Sequence, residues 1–300
     1  MIKQTSKSAK TILLVVSFFS IYVFWGSTYL LNKIALQQLP PLTLAATRFI
    51  TASILIFIIA KYMGLSLKIS KIQLLNSVIA GFFFLAYGNG VFVWALKHVD
   101  SGFAALEAST QPLIILILMR VFQGRKIQNK SYIGVVLGII GMYLLVSQKE
   151  ILYQDDSLLA ILMIFSCVLS WSIASLFVAK ADLPPNFFVN AGYQMLFGGI
   201  LLFLASFFFR ENWLPFANWN AKTYIAIIGL ILFGSIAAFT AFNYLLKVVS
   251  TEKVATSALI NPIVALFLGW YFLDEKITSQ SIIAAILLLT GVYFINKSKK

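Results

Sequence analysis

Acidic residues are scarce in this chain: 10 Asp and Glu stand against 23 Lys and Arg among 300 residues. Charge of either sign makes up only 11% of it, where a soluble domain carries about a quarter. That shortage excludes an ordinary water-facing surface. Cysteine occurs once, at Cys167 inside an apolar run, and histidine once, at His98. One of each excludes a disulfide framework and a Cys/His metal cluster, so neither metal nor cofactor is expected. The same scarcity argues against a membrane-embedded enzyme, which needs a nucleophile–base pair or metal ligands at span depth. A net charge of +13 does not imply nucleic acid. A DNA-binding face needs cations clustered on a soluble surface; here they sit at the ends of apolar runs.

Apolar residues are abundant, at 60% with a mean hydropathy of +0.92. This is the composition of an integral membrane protein. A helix needs roughly 17–25 mostly apolar residues to cross the hydrocarbon core. The charges divide the chain into ten such stretches: 11–31, 42–60, 72–96, 101–119, 131–148, 157–179, 186–208, 223–246, 254–273 and 277–296. The first follows Lys3, Lys7 and Lys10 as a signal peptide would, but it runs uncharged to Asn32. That is too long for a signal-peptide core, so it is a retained span. The expected fold is an all-α polytopic bundle of ten transmembrane helices. Only Arg48, in the second span, and Glu107, in the fourth, place a charge well inside one.

Lys and Arg in the loops set orientation. With the amino terminus in the cytoplasm, inner segments hold 16 of them and outer segments 6. Both termini are therefore expected on the cytoplasmic side, and the outer loop ENWLPFANWN (211–220) puts Trp213 and Trp219 where an interfacial aromatic belt would lie.

The chain also resembles itself. Offset by 150 residues, 96–143 aligns with 246–293 without a gap, and sixteen of the 48 pairs are identical. They include Lys97/Lys247, Ala108/Ala258, Pro112/Pro262, Lys126/Lys276 and Gly141/Gly291. Hydrophobic bias does not align prolines, lysines and glycines in one register. Residues 1–150 and 151–300 are thus expected to be two five-helix repeats. Five is odd, so the second copy crosses in the opposite sense. Inverted repeats around a central cavity belong to alternating-access carriers.

WGSTYLLNKIAL (25–36) and the paired segments ALEASTQPLI (105–114, beginning at Ala105) and SALINPIVALFLGWYFLDEKIT (257–278) give the chain a further likeness. As an ordered set they resemble the EamA branch of the drug/metabolite transporter superfamily. The resemblance implies a ten-helix bundle around a cavity, and export or exchange of small metabolites, often amino acids, without ATP. It also implies an acidic residue just after the fourth and ninth spans. Glu275 in LDEKIT fits, whereas QGRKIQ has Arg125 in the first half.

Proline inside a helix removes a backbone donor and crowds the carbonyl four residues back. Pro112 and Pro262 are therefore expected to break the fourth and ninth spans, either to line the cavity or as a passive kink. Glu107, Thr110 and Gln111, at i, i+3 and i+4, are expected to share one helix face turned away from lipid, with Ser257 and Asn261 as counterparts. Glu107 and Arg48 each lie six residues from the outer start of a span, roughly 9 Å deep at ~1.5 Å per residue. Two readings follow: an Arg48–Glu107 ion pair with a structural role, or Glu107 facing the cavity alone as a proton carrier.

Trp25, Tyr87, Asn89, Trp94, Gln111, Trp171, Tyr193, Gln194, Asn243 and Asn261 are the cavity candidates. Aromatics with amides suit an amphipathic, weakly charged solute. Tyr29 and Tyr244 are further amphipathic aromatics near span ends. His98, Asp155 and Asp156 are expected as solvated loop groups. GVVLGIIG (134–141) allows close helix packing inside the bundle or in a dimer.

The function expected is a secondary-active transporter in a cell (inner) membrane, exporting or exchanging small organic metabolites, amino acids and amphipathic compounds first. Its partners are a small-molecule substrate, the lipid bilayer and protons as the candidate coupling ion. A flippase for lipid or lipid-linked sugar is the alternative.

Overall fold

The computed structural model describes residues 7–124, 129–148, 156–255 and 257–297. Arg125, Lys126 and Asp155 lie outside the described residues. Every regular element among those described is helical. In chain order the main rods are α1 (Lys10–Leu36), α2 (Pro41–Tyr62), α3 (Lys71–Ala95), α4 (Ser101–Gln123), α5 (Asn129–Val146), α6 (Ser157–Lys180), α7 (Phe187–Phe208), α8 (Ala221–Val248), α9 (Ser257–Leu273) and α10 (Ser279–Lys297). Seven are long and apolar enough to cross a membrane; α5, α9 and α10 carry shorter apolar stretches.

Local sequence sets their starts. Pro40 is extended and Pro41 opens α2, where a missing N–H costs nothing. Ser70 and Gln73 form a capping box ahead of α3. Asn186 accepts from the Phe188 and Val189 N–H groups at α7, and Asn220 from Thr223 at α8.

Burial is inverted relative to a soluble protein. Val136, Ile139 and Tyr143 of α5 and Ile282, Ile283 and Ile286 of α10 are exposed, while Ser53, Ser172, Gln194 and Asn243 are fully buried. So broad an exposed apolar surface is a lipid-facing one, and the protein is a multi-pass membrane protein.

The most extensive interfaces pair α5 with α10 and α2 with α7. Glycine brings α5 and α10 together: a Cβ at Gly291 would stand 2.7 Å from the Gly134 carbonyl oxygen and 3.0 Å from Gly138 N. GVVLGIIG therefore packs inside the bundle. Of the two tryptophans in the 211–220 loop, Trp213 is exposed, as an interfacial belt residue would be, and Trp219 is buried. Trp219 is 9% exposed and donates to the Leu214 carbonyl, and Trp213 donates to Ser206. The Trp219 indole is thus satisfied within the loop and that of Trp213 by the last turn of α7.

Candidate functional site

A cavity of about 120 Å³ lies at the centre of the bundle, well above the ~10–15 Å³ that one water needs. Its wall comes from seven rods: Trp25, Thr28, Tyr29 and Asn32 of α1; Arg48 and Phe49 of α2; Gly88, Asn89 and Phe92 of α3; Ser109 and Gln111 of α4; Cys167 and Trp171 of α6; Gly234 and Phe239 of α8; Ser257 and Asn261 of α9.

Three of these rods widen into π-helix beside the cavity, at Ser20–Phe24, Phe82–Tyr87 and Leu230–Phe239. Wide turns loosen the backbone ladder, and carbonyls within a bilayer need donors from protein or water. Neighbouring side chains provide them. Ser170 donates to the Phe83 carbonyl at 2.6 Å, and the Trp25 indole to the Gly234 carbonyl at 3.1 Å. With its amide nitrogen turned inward, Asn261 reaches the Ile21 and Tyr22 carbonyls at 2.9 and 2.8 Å. The aromatic floor is interlocked: Trp25 meets Trp171 edge-on at 5.6 Å, and Phe84 lies 4.7 Å from Trp171.

The fourth span is broken. Helix Ser101–Ala108 stops, Ser109 and Thr110 turn, and a second helix runs from Gln111 to Gln123 with Pro112 in its first turn. The hydroxyls of Ser109 and Thr110 donate to the Leu106 and Glu107 carbonyls at 2.6 and 2.8 Å. The break separates side chains that a continuous helix would align: Ser109 and Gln111 line the cavity, and Glu107 does not. In the second half α9 continues through Pro262. The expected break there does not occur, because the chain turns earlier, at Ala255 after the short helix Thr251–Val254.

Of the two readings of Arg48 and Glu107, the ion pair is not formed among the described residues. Among the described residues, Glu107 is 0% exposed and neither carboxylate oxygen has a hydrogen-bond partner. Arg48, 3% exposed, donates from Nε to Ser235 Oγ at 2.7 Å and lies 4.7 Å over the Phe49 ring, while its Nη1 has no partner. Equal depth does not imply contact: Arg48 lines the cavity and bonds Ser235, while Glu107 is buried away from the lining.

Trp25, Asn89, Gln111, Trp171 and Asn261 reach the cavity. Tyr87, Trp94, Tyr193, Gln194 and Asn243 do not. Tyr87 is exposed and bonds Ser166. Trp94 stacks on His98 at 4.6 Å, and the Tyr193 hydroxyl donates to the Leu67 carbonyl. Gln194 and Asn243 join Asn190 in a buried amide cluster, in which the Asn190 and Gln194 amide nitrogens donate to Asn243 Oδ1 and Gln194 also donates to Asn190 Oδ1, while Gln194 Oε1 has no partner. His98 is less solvated than expected, its Nδ1 lying 3.9 Å from the exposed Asp156 carboxylate. Tyr244 packs on Phe187 at 5.3 Å. Thr28, Asn32, Ser109 and Cys167 join the wall without a distinctive signal in the sequence; a helical-wheel comparison of α1 against Trp25 points at Thr28 and Asn32.

A family model described as the EamA-like transporter family matches residues 11–147 and again 158–297. "Uncharacterized inner membrane transporter YedA" of Escherichia coli (strain K12) is 31% identical over 94% of this chain and 90% of its own length. "Uncharacterized transporter YoaV" of Bacillus subtilis (strain 168) is 26% identical, covering 91% and 93%. "Probable amino-acid metabolite efflux pump" of Escherichia coli (strain K12) is 24% identical, covering 91% of each. A solved crystal structure of a 19% identical protein superposes with a TM-score of 0.69 over 96% of both chains, a likeness of fold. With helices fit for a bilayer around a polar cavity and a family match over nearly its whole length, this chain belongs to the EamA-like transporter family, a membrane transporter rather than an enzyme.

Proposed function

We propose that this transporter is a secondary carrier working by alternating access, built as two inverted five-helix repeats, residues 1–150 and 151–300. It exports or exchanges small amphipathic metabolites, amino acids first. The observation that carries this reading is the cavity, whose wall draws on both halves and combines amides, hydroxyls and aromatic faces around one cation.

Contacts between matched rods support the inversion. Glu211, after α7, meets the start of α2 at Leu42 and Thr43. Glu275, after α9, meets the start of α4 at Ser101. Gln148, after α5, meets Thr278 at the start of α10. In each pair one rod ends where its counterpart begins, so the two run antiparallel, as an odd-numbered repeat requires. The double match of the family model supports the same division.

The lysine and arginine distribution supports cytoplasmic termini, and the name of the Escherichia coli relative supports an inner membrane. The name "Probable amino-acid metabolite efflux pump" supports the amino-acid class and outward flux. Glu107 is the candidate proton carrier: buried, unpaired and one turn from a broken helix.

Counterflow in proteoliposomes tests the carrier. Labelled amino acid entering unchanged, saturably and with stimulation by unlabelled solute inside is the expected result. Flux that never saturates makes it a pore, and solute recovered only as a chemical product makes it an enzyme. Cysteine labelling of positions 98 and 247, in a Cys167→Ser background, tests the inversion. Labelling of both from one side of the membrane overturns it.

A further inference from the structure

We propose that Arg48 anchors a carboxylate of the transported solute, while the amide oxygens of Asn32 and Asn89 receive the N–H donors of its amino group. The assignment rests on the carrier reading and names the chemistry of the same cavity.

Arg48 is the one charged side chain among the described residues lining that cavity. Its aim is set before any ligand arrives. Ser235 Oγ accepts from Nε at 2.7 Å, and the Phe49 ring supports the guanidinium plane. Gly234 makes room, since a Cβ there would stand 2.8 Å from Nη2. Nη1 is left without a partner. A buried cation needs an anion or a hydrogen-bonding partner to offset its lost hydration. The chain withholds its own: Glu107 makes no ion pair with Arg48, and Glu211 and Glu275 are engaged at helix starts.

Two other polar atoms in the same wall are also unfilled. Asn32 commits its amide nitrogen to the Thr28 carbonyl at 2.8 Å, leaving Oδ1 free, and Asn89 Oδ1 likewise has no partner. Both are acceptors. The residues lining the cavity therefore carry one cation, two buried amide oxygens without a partner, the Gln111 amide and the aromatic rings of Trp25 and Trp171. The complement is a solute with one negative charge, a group rich in N–H, and an apolar body. A phosphate or dicarboxylate would bring a second negative charge with no cation to meet it, and planar bidentate recognition of a single carboxylate is what a guanidinium does best. An amine lacking the carboxylate would leave Arg48 unpaired.

The test uses purified protein in detergent micelles and measures melting temperature and tryptophan fluorescence. The probes are L-phenylalanine, L-leucine and L-methionine, their carboxamides and their decarboxylated amines. At least one free amino acid is expected to bind wild type, while its carboxamide and amine do not. Arg48→Gln is expected to weaken that binding on the order of 10–100-fold, the range of a lost charge-assisted contact. Arg48→Lys, which keeps the charge, retains part of it and serves as the folding control. Asn89→Ala weakens the amino acid more than 3-phenylpropionate, which has no amino group. Equal binding of acid and carboxamide, undiminished affinity in Arg48→Gln, or no binding of any free acid overturns the assignment. Counterflow on the same preparations separates the two layers. Saturable flux of a carboxylate-free solute, unchanged in Arg48→Gln, removes the anchor and leaves the carrier. Loss of all saturable flux in folded wild type removes the carrier, and the anchor with it.

Discussion

The carboxylate of Glu275 caps the helix that begins at Ser101, 174 residues earlier in the chain. Oε1 accepts the Ser101 N–H at 2.8 Å, and Oε2 accepts the Ser101 hydroxyl at 2.8 Å and the Gly102 N–H at 3.1 Å. Asp274, at φ 54°, turns the chain out of α9 so that the next residue points back into the bundle. Glu211 repeats the device. It follows Arg210, at φ 53°, and accepts the Leu42 and Thr43 N–H groups at 2.9 and 2.7 Å. A carboxylate at a helix start satisfies orphan donors and meets the positive end of the dipole. Non-glycine residues held in the left-handed region cost roughly 1–2 kcal/mol, which these hydrogen bonds offset.

Glu275→Ala is expected to lower stability by about 2 kcal/mol, since it removes three hydrogen bonds from one partly exposed carboxylate. In a detergent melt this reads as a drop of several degrees. An unchanged melting temperature would show that the cap contributes nothing.

Gly291 has a matched partner at Gly141; Gly291 meets the opposing helix backbone at Gly134 and Gly138, and Gly141 meets the Leu288 side chain and the backbone of Leu288 and Ala284. Gly291→Ala is expected to force α5 and α10 apart and to cost about 1–3 kcal/mol. Gly64→Ala touches nothing within 4 Å but sits at φ +69°, so its smaller loss, about 1 kcal/mol, would come from backbone strain alone. Equal losses in the two variants would argue against the close α5–α10 contact as the cause.

The Asn190–Gln194–Asn243 cluster is buried, with donor–acceptor distances of 2.8–3.0 Å among its three amides, and Asn243 Nδ2 ties it to the Phe239 carbonyl. Asn243→Ala strands the buried Asn190 amide nitrogen, while Gln194 keeps its bond to Asn190, and is expected to destabilise by roughly 1–3 kcal/mol. Tyr87→Phe, at an exposed position, is the contrast and stays within about ±0.5 kcal/mol. Thermal unfolding of the two variants side by side checks the difference.

Glu107→Gln keeps the size of the side chain and removes its ability to carry a proton. Counterflow, which needs no net proton movement, is expected to persist, while acceleration by an imposed pH gradient disappears. A variant that still responds to the gradient would assign coupling to another group.

Much of the architecture was legible before any packing was known. Runs of apolar residues bounded by Lys and Arg mark the rods, because the bilayer dictates both their length and where charge sits. AALEASTQPL announced the broken fourth span through its proline; that the Ser109 and Thr110 hydroxyls would bond the Leu106 and Glu107 carbonyls at the break was not legible in it. Pro262 carries the same mark but lies in a continuous helix, the chain having turned earlier, at Ala255.

Membership of the cavity followed a different logic. Polarity nominated Gln194 and Asn243 as readily as Asn89 and Gln111, yet the first two bond each other while the second two face the cavity. Depth likewise nominated Arg48 and Glu107 as a pair, and they make none. Hydropathy and loop charge locate a residue along the membrane normal; they carry little information about rotation around it. Rotation is decided by which helices adjoin, by glycines such as Gly234 that let a neighbour approach, and by π turns that shift the register of a face. The chain alone therefore specified the rods, their ends and the repeat offset, whereas the assembled bundle chose which polar groups satisfy one another and which are left open toward a solute.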